Sequence, residues 1–419
     1  MTQPRVLRPV PDPLGSYIRP GYKDGPDVLQ LLVEGRSIGS GLVANPSWGS
    51  RQADLMTEAT RQGLETVLDP LTVDLATVGG FGRGKNRDLA WAGEAPHMPD
   101  DLRGLAGVAL VRAIAEEVQA KGYSAVLAPT HFLASADDPW LAIDAELTHR
   151  LRAELDRLGL GHVRIYYPLV LKADLFRHTE ARDRLVQALR PPLPIDAVWL
   201  RIHPFGTTNS GPLVLRHVLE GCRELHATGV PLVAEHSGTV GLALMAFGAV
   251  GGIESGITFT EGVQLGPLFK DPDPDARGFS PAPRIYLHQL GAFLAPELAE
   301  AFFATRGMKS AHGCTSNGCC PRGWQDMQIQ PRRHFLLQRA HEVTTLTAAP
   351  PTLRPGWYME NFLRPASDRA VRAAEIEPSL ESARRRLDSW RGTLGAQLEK
   401  HSVFTVSEPA AGKRFRRSA

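Results

Sequence analysis

The sequence predicts a (β/α)8, TIM-like barrel followed by a C-terminal Cys/His loop and a helical extension. Three observations predict it. Short apolar segments rich in Val, Ile and Leu alternate along the chain with longer segments of helical period. The short segments are continuous apolar runs, the pattern of parallel strands buried on both faces. Eight such units fit a closed ring better than an open sheet, and no Gly-rich dinucleotide fingerprint follows an early strand.

Taken in order, residues 1–27 are rich in Pro, Gly and charge and read as an extended arm. The barrel is expected over 28–308. Its strands fall at 39–44 (GSGLVA), 66–69 (TVLD), 124–129 (SAVLAP), 163–169 (VRIYYPL), 197–203 (AVWLRIH), 231–235 (PLVAE), 251–255 (GGIES) and 284–288 (RIYLH). Helices are expected at 51–63, 102–121, 140–159, 179–189, 212–228, 240–248 and 296–306. In AELTHRLRAELDRLG the leucines recur every three or four residues, so one helix face is apolar and the other charged. Residues 309–345 form a Cys/His unit expected to bind zinc. Residues 346–419 hold a proline-punctuated connector, charged C-terminal helices and the basic tail GKRFRRSA.

Composition narrows the function classes. The chain has 419 residues and a formal net charge of +2, so it is not a polycation. No apolar run approaches the roughly 20 residues that span a bilayer, and the start lacks a signal-peptide core. Four cysteines, three of them clustered, do not make a secreted disulfide framework. The expectation is a cytoplasmic protein with reduced thiols and no membrane partner. The oligomeric state is left open, a dimer included.

A barrel builds its active site at the carboxyl ends of its strands. Polar residues crowd there: Asn45, Asp69, Thr130 with His131, Lys172, Arg201 with His203, Glu235 with His236, Glu254 with Ser255, and His288. Burying such groups without partners costs roughly 1–3 kcal/mol each, so their number points to a site. Asp69 and Glu254 are the candidate catalytic pair. His131, Lys172, Arg201, His203, Glu235 and His236 are candidate substrate contacts. Two glycine-rich stretches on the same face, 77–88 and 248–262, have the composition of anion-wrapping loops but lack the ending of a P-loop.

Cys314, Cys319 and Cys320 lie within seven positions, with His334 opening a helix further on. Together they supply the four thiolate and imidazole ligands that a structural zinc takes. His312 and His341 compete with His334 for the fourth place. The spacing matches no standard finger, and a redox or accidental thiol cluster and an iron–sulfur site are the alternatives. Adjacent Cys319 and Cys320 are the awkward feature, since neighbouring side chains usually diverge.

In the order of its parts the chain resembles the tRNA-guanine transglycosylase superfamily. That family has a (β/α)8 barrel followed by a three-cysteine, one-histidine zinc site leading into a helix. The stretch VLDP…GGF is similar to its DSGGFQ strand and loop, which implies a general-base place for Asp69. VGGIES falls on its nucleophile strand, which implies that place for Glu254. YYPLVLKADL resembles its fourth strand without the glutamine and glycines. The likeness runs over roughly residues 30–345 in order of elements; the DSGGFQ motif, the nucleophile type and the C-x-C-x2-C spacing all differ.

The resulting expectation is a transglycosylase-like enzyme acting on a nucleobase or ribosyl bond of tRNA or DNA through paired carboxylates. Basic segments QPRRHF and KRFRRSA would contact backbone phosphates. A metal-dependent barrel hydrolase built on His203, Glu235, His236 and Asp69 is one alternative. A non-catalytic barrel that binds nucleic acid or a partner is the other.

Overall fold

The ring of strands opens inside the segment read as an arm. In the computed structural model, which describes residues 15–190, 193–258, 261–271 and 282–400, β1 (Gly15–Ile18) pairs in parallel with β2 (Gly41–Ala44). The ring continues through β3 (Glu65–Leu68), β4 (Ala125–Leu127), β5 (Arg164–Lys172), β6 (Ala197–His203), β7 (Leu232–Ala234) and β8 (Gly252–Ser255). Each strand is parallel to the next, and β8 closes on β1 with Gly15 opposite Gly252 and Ile18 opposite Ser255. The expected (β/α)8 barrel is therefore the observed one.

One helix follows each strand: α1 (Gly25–Val33), α2 (Ala53–Arg61), α3 (Leu105–Lys121), α4 (Trp140–Arg157), α5 (Thr179–Ala188), α6 (Pro212–Leu225), α7 (Thr239–Ala246) and α8 (Pro331–Ala348). Their apolar stripes face the sheet; α6 buries Leu215, Val218, Leu219, Cys222 and Leu225 at helical spacing. Cys222, the cysteine outside the cluster, is thus a core residue. α8 packs against β1, α1 and α7, the place that closes the outer ring. Two further helices, α9 (Arg364–Ile376) and α10 (Glu381–Lys400), pack on one another, and α10 packs against α6.

Two expectations need correction. The arm contains β1, so the barrel begins before residue 28. Four residues flanked by glycine and proline are too short to show a periodicity, and the strand is defined only by its two neighbours. The run at 284–288 is not a barrel strand. Its core, Ile285–Leu287, pairs antiparallel with Ala292–Leu294 in a local hairpin. A short apolar run meets the same test in a hairpin as in a barrel. The helix Pro296–Ala304 consequently belongs to the crossover from β8 to α8 rather than to the ring. Residues 1–14 and the basic tail from 412 to 419 lie outside the described residues.

The barrel interior explains where the functional side chains go. Tyr17, Val43, Val67, Ala125, Leu127, Tyr166, Ala197, Trp199 and Val233 form an inner cluster. Ile18, Leu42, Ala44, Leu68, Val126 and Ile253 point outward into the helix-covered core. Strand side chains alternate with period two. Continuing the inward parity past the apolar layer brings Arg19, Asn45, Asp69, Arg201 and Glu235 to the mouth. On β8, where Ile253 faces out, Glu254 faces in. At the amino end of the strands the inner cluster is plugged by Glu65, which accepts hydrogen bonds from the hydroxyls of Tyr17 (2.6 Å) and Tyr166 (2.7 Å) and pairs with Arg164 (2.6 Å).

Candidate active site and metal centre

Three carboxylates from three strand ends converge on one guanidinium. Arg19, immediately after β1, donates through Nη1 to Asp69 Oδ2 at 2.6 Å, through Nη2 to Glu235 Oε1 at 2.6 Å, and through Nε to Glu254 Oε1 at 3.1 Å. Arg201, from β6, reaches Asp69 Oδ2 at 3.2 Å and also binds Glu235 Oε1. Glu235 and Glu254 are fully buried, and Arg19 is the outermost member, with 13 % of its side chain exposed. Burial alone would raise the Asp69 carboxyl; Arg19 and Arg201 overcome it and hold the group down at about 2. Glu235 is likewise held below the usual carboxylate range against its burial, chiefly by Arg201 and Arg19.

The backbone at the mouth is bent to place these groups. Asp69 Oδ1 accepts from the main-chain N–H of Leu71 at 2.8 Å, which turns the chain after β3. His236 adopts φ 49°, a left-handed conformation rare for a residue with a side chain. That turn lets its N–H donate to Glu254 Oε2 at 2.9 Å and sets its Nδ1 3.2 Å from the same oxygen. Burial pushes the His236 imidazole below its ordinary value, towards the neutral form. Leu71 and Thr258, after β3 and β8, share the same unusual φ sign.

A cavity of about 940 Å³ opens beside the cluster, lined by loops after β1, β2 and β3. Asp74 lines it, partly buried; its main-chain oxygen accepts from Thr77, and its carboxylate makes no hydrogen bond among the described residues. Burial pushes its carboxyl up; Arg201 opposes the shift and Asp69 adds to it. The other wall carries Trp48 at 6.1 Å and near right angles to Tyr22, over whose ring the Arg51 guanidinium sits at 4.2 Å. Arg83 and Lys85, from the 77–88 stretch, also line the cavity.

Of the residues singled out in the sequence, Asp69, Arg201, Glu235, His236 and Glu254 come together. The others do not join them. His131 is held against α4, its main-chain N–H and ring Nδ1 on Asp144 at 2.8 and 2.6 Å, and its ring is stacked on Trp140 at 3.6 Å. Lys172 is exposed at the end of β5. His203 Nδ1 accepts from the main-chain N–H of Leu265 at 3.1 Å and so fastens the crossover after β8. Arg332 and Arg333 of QPRRHF are engaged with Asp24 and Glu34 at 2.6 and 2.7 Å, not free for phosphate. Sequence reading missed Arg19 and Asp74. Parity with the inward Tyr17 would have found Arg19 once β1 was known; Asp74 sits in a four-residue helix with no pattern to read.

The cysteines lie in the crossover between β8 and α8. Cys314, Cys319, Cys320 and His334 are all buried, and their ligand atoms lie within 4.8 Å of one another. The main-chain N–H groups of Cys319 and Cys320 both bond to Ser316 O, at 3.0 and 2.7 Å, and this turn brings the adjacent sulfurs to 3.6 Å. His334 Nδ1 lies 3.4 Å from Cys319 Sγ and 3.3 Å from Cys320 Sγ. A tetrahedral zinc with ordinary bond lengths needs edges of about 3.8 Å between sulfurs and about 3.6 Å from sulfur to nitrogen. The set fits a metal ion. Nε2 of His334 faces the Tyr286 carbonyl at 3.0 Å; a carbonyl only accepts, so that nitrogen carries the proton and Nδ1 presents its lone pair to the sulfurs. His312 packs on Phe302 at 5.3 Å and His341 is exposed, so neither is the fourth ligand.

The second group of three, Glu235, His236 and Glu254, also places one ligand atom each within 4.8 Å. There the Arg19 guanidinium already pairs with both carboxylates.

No family model and no curated protein sequence matches this chain. Among solved structures, a GH10 endoxylanase from a sugarcane soil metagenome is 10 % identical with a TM-score of 0.34, over 52 % of this chain and 65 % of that one. A GH18 chitinase from Pseudoalteromonas aurantia is 11 % identical with a TM-score of 0.35, over 57 % of this chain and 93 % of its own. The carboxyl transferase domain of Rhizobium etli pyruvate carboxylase is 10 % identical with a TM-score of 0.36, over 95 % of this chain and 62 % of that one. These likenesses carry no argument about activity, and the fold rests on the chain's own strand pairing. No tRNA-guanine transglycosylase is among the matches, and the resemblance to that superfamily is withdrawn.

Proposed function

We propose that the chain is an enzyme that breaks a glycosidic bond to a ribosyl unit, within a nucleic acid, using the carboxylates at its barrel mouth. The observation that carries this reading is the convergence of Asp69, Glu235 and Glu254 beside the cavity that Asp74 lines. Breaking the bond from the sugar carbon to the base nitrogen sends the electron pair to the base and leaves positive charge on the sugar. A carboxylate held deprotonated, as Asp69 is, stabilises or captures that cation. The departing base takes up a proton, and Asp74, biased towards its protonated form, supplies it. Arg19 covers the buried carboxylates, so substrate entry requires it to give up at least one of them.

The cavity wall supports a nucleotide ligand. The half-exposed Tyr22 and the neighbouring Trp48 offer ring faces for bases, and Arg51, Arg83 and Lys85 offer cations for phosphates. The test is release of free base from RNA and from single-stranded DNA. Asp74→Asn is expected to lower the rate by about a hundredfold, the usual scale for a general acid, with little change in melting temperature because the Asp74 hydrogen bonds to Thr77 are made by its main-chain oxygen and survive. A wild-type protein that releases no base from either polymer contradicts the reading.

For the cysteine cluster the proposed metal is zinc in a structural role. It would pin the start of α8 to the Tyr286 hairpin, and the loop is further tied to the turn after α1 by Arg36 on Gly318 O. A second reading of the mouth, a metal-dependent hydrolase, is favoured by the Glu235–His236–Glu254 spacing alone. Stabilisation of the wild type by added manganese, lost in Glu235→Gln, would support it.

A further inference from the structure

A separate polar cavity of about 490 Å³ lies between the loops after β6 and β8 and the start of α10. None of the mouth carboxylates lines it. Its walls carry the hydroxyls of Thr207, Thr258, Ser379 and Ser382 together with the guanidinium of Arg386.

Two of these groups keep a buried polar atom without a partner among the described residues: Thr258 Oγ1 and Arg386 Nε. Thr258 is 1 % exposed, has φ 63°, and its Oγ1 bonds to nothing. Arg386 donates to Gly291 O at 3.2 Å and lies 5.4 Å over the Trp390 ring, but its buried Nε has no acceptor and it forms no ion pair. Glu261 is on the same wall yet already satisfied: Oε2 accepts from Thr207 Oγ1 at 2.5 Å and from Thr239 N–H at 2.9 Å, and Oε1 faces Arg339 at 3.3 Å. The first turn of α10, a helix of 20 residues, lines the cavity beside Ser382 and brings the positive end of its dipole. Arg284 adds a further cation at the exposed rim.

A buried hydroxyl without a partner, a guanidinium whose Nε has no acceptor and a helix N-terminus have one ligand chemistry in common. Each donates to, or attracts, an oxyanion. A cation would be repelled by both arginines, and an apolar group would leave the buried donors unpaired. We propose that this cavity is a phosphoryl-binding site, with Arg386 and Thr258 as donors at the first turn of α10. It stands independently of the reading given to the mouth.

Calorimetric titration of the full chain tests it, with inorganic phosphate and a ribose phosphate ester as probes and sodium chloride of equal ionic strength as control. Saturable one-site binding is expected, with the two probes competing; the tighter one tells whether free phosphate or a phosphorylated sugar is preferred. Arg386→Gln is expected to weaken binding by about tenfold or more, the scale of one charge-assisted hydrogen bond. Ser382→Asp puts a negative charge on an exposed wall position and is expected to abolish binding without altering the melting temperature, which keeps the test open where Arg386→Gln fails to fold. Asp69→Asn is expected to leave phosphate affinity unchanged. The proposal is overturned by a wild type that shows no saturable binding, or by unchanged affinity in a folded Arg386→Gln or in Ser382→Asp.

Discussion

The barrel mouth and the cysteine loop each bury a knot of titratable side chains, and they differ in how charge is balanced. At the mouth, Asp69, Glu235 and Glu254 are answered by Arg19 and Arg201, so the chain carries its own counter-ions. In the loop, Cys314, Cys319, Cys320 and His334 face one another with no arginine or lysine among them, at separations that match the edges of a metal tetrahedron. In the first arrangement two guanidiniums pair with three carboxylates. The second has the geometry that an added metal ion would complete. Two clusters of similar burial therefore point to different work: rearrangeable charge at the mouth, and a fixed clasp beside α8.

The largest expected effect breaks the clasp. Cys319→Ser should cost more than about 5 kcal/mol, a share of the roughly 10–16 kcal/mol apparent for structural zinc in small domains. Chelation of the wild type should produce the same loss, read as a fall in melting temperature. If neither treatment shifts the transition, the loop holds no structural ion.

Next comes the keystone of the mouth. Arg19→Met leaves Asp69 and Glu235 with Arg201 alone and Glu254 without a guanidinium, and removing one partner of a buried pair typically costs about 3–5 kcal/mol. The uncompensated carboxyls then take up protons more readily, so the variant should be relatively more stable in acid than at neutral pH. A variant as stable as the wild type at neutral pH would mean that the ion pairs seen around Arg19 contribute nothing.

A smaller effect sharpens the same point through pH. Asp69 is lowered to about 2 from its ordinary 3.8, so the stability it contributes is present above pH 3.8 and lost as pH falls through about 2. The amount is on the order of 2 kcal/mol. Acid titration of unfolding should show this slope in the wild type and lack it in Asp69→Asn. The smallest effect is the control: Lys172→Ala, at an exposed strand end, should change stability by less than about 0.5 kcal/mol. A large loss there would place Lys172 in the site after all.

The strand–helix alternation was legible because each helix exposes a 3.6-residue stripe and each central strand a solid apolar run. β1 was not, since GSYI has four residues and its identity as a strand comes from pairing with segments 24 and more than 230 positions away. The run at 284–288 failed for the converse reason, as apolar content does not say whether the partner is a barrel or a hairpin. At the site, strand ends gave Asp69, Arg201, Glu235, His236 and Glu254, because period-two parity carries from the apolar layer to the mouth. Arg19 was lost together with its strand. Lys172 and His131 share a strand end without sharing the interior. The doubt over adjacent cysteines was resolved by a turn on Ser316 O that no spacing rule contains.

Zinc-edge X-ray absorption of the purified, untreated chain tests the separation of the two clusters most directly. One zinc per chain with three sulfurs at about 2.3 Å and one nitrogen at about 2.0 Å is the predicted result. A shell of nitrogen and oxygen alone would put the ion on Glu235, His236 and Glu254 and contradict the assignment of an arginine-paired mouth and a metal-completed clasp.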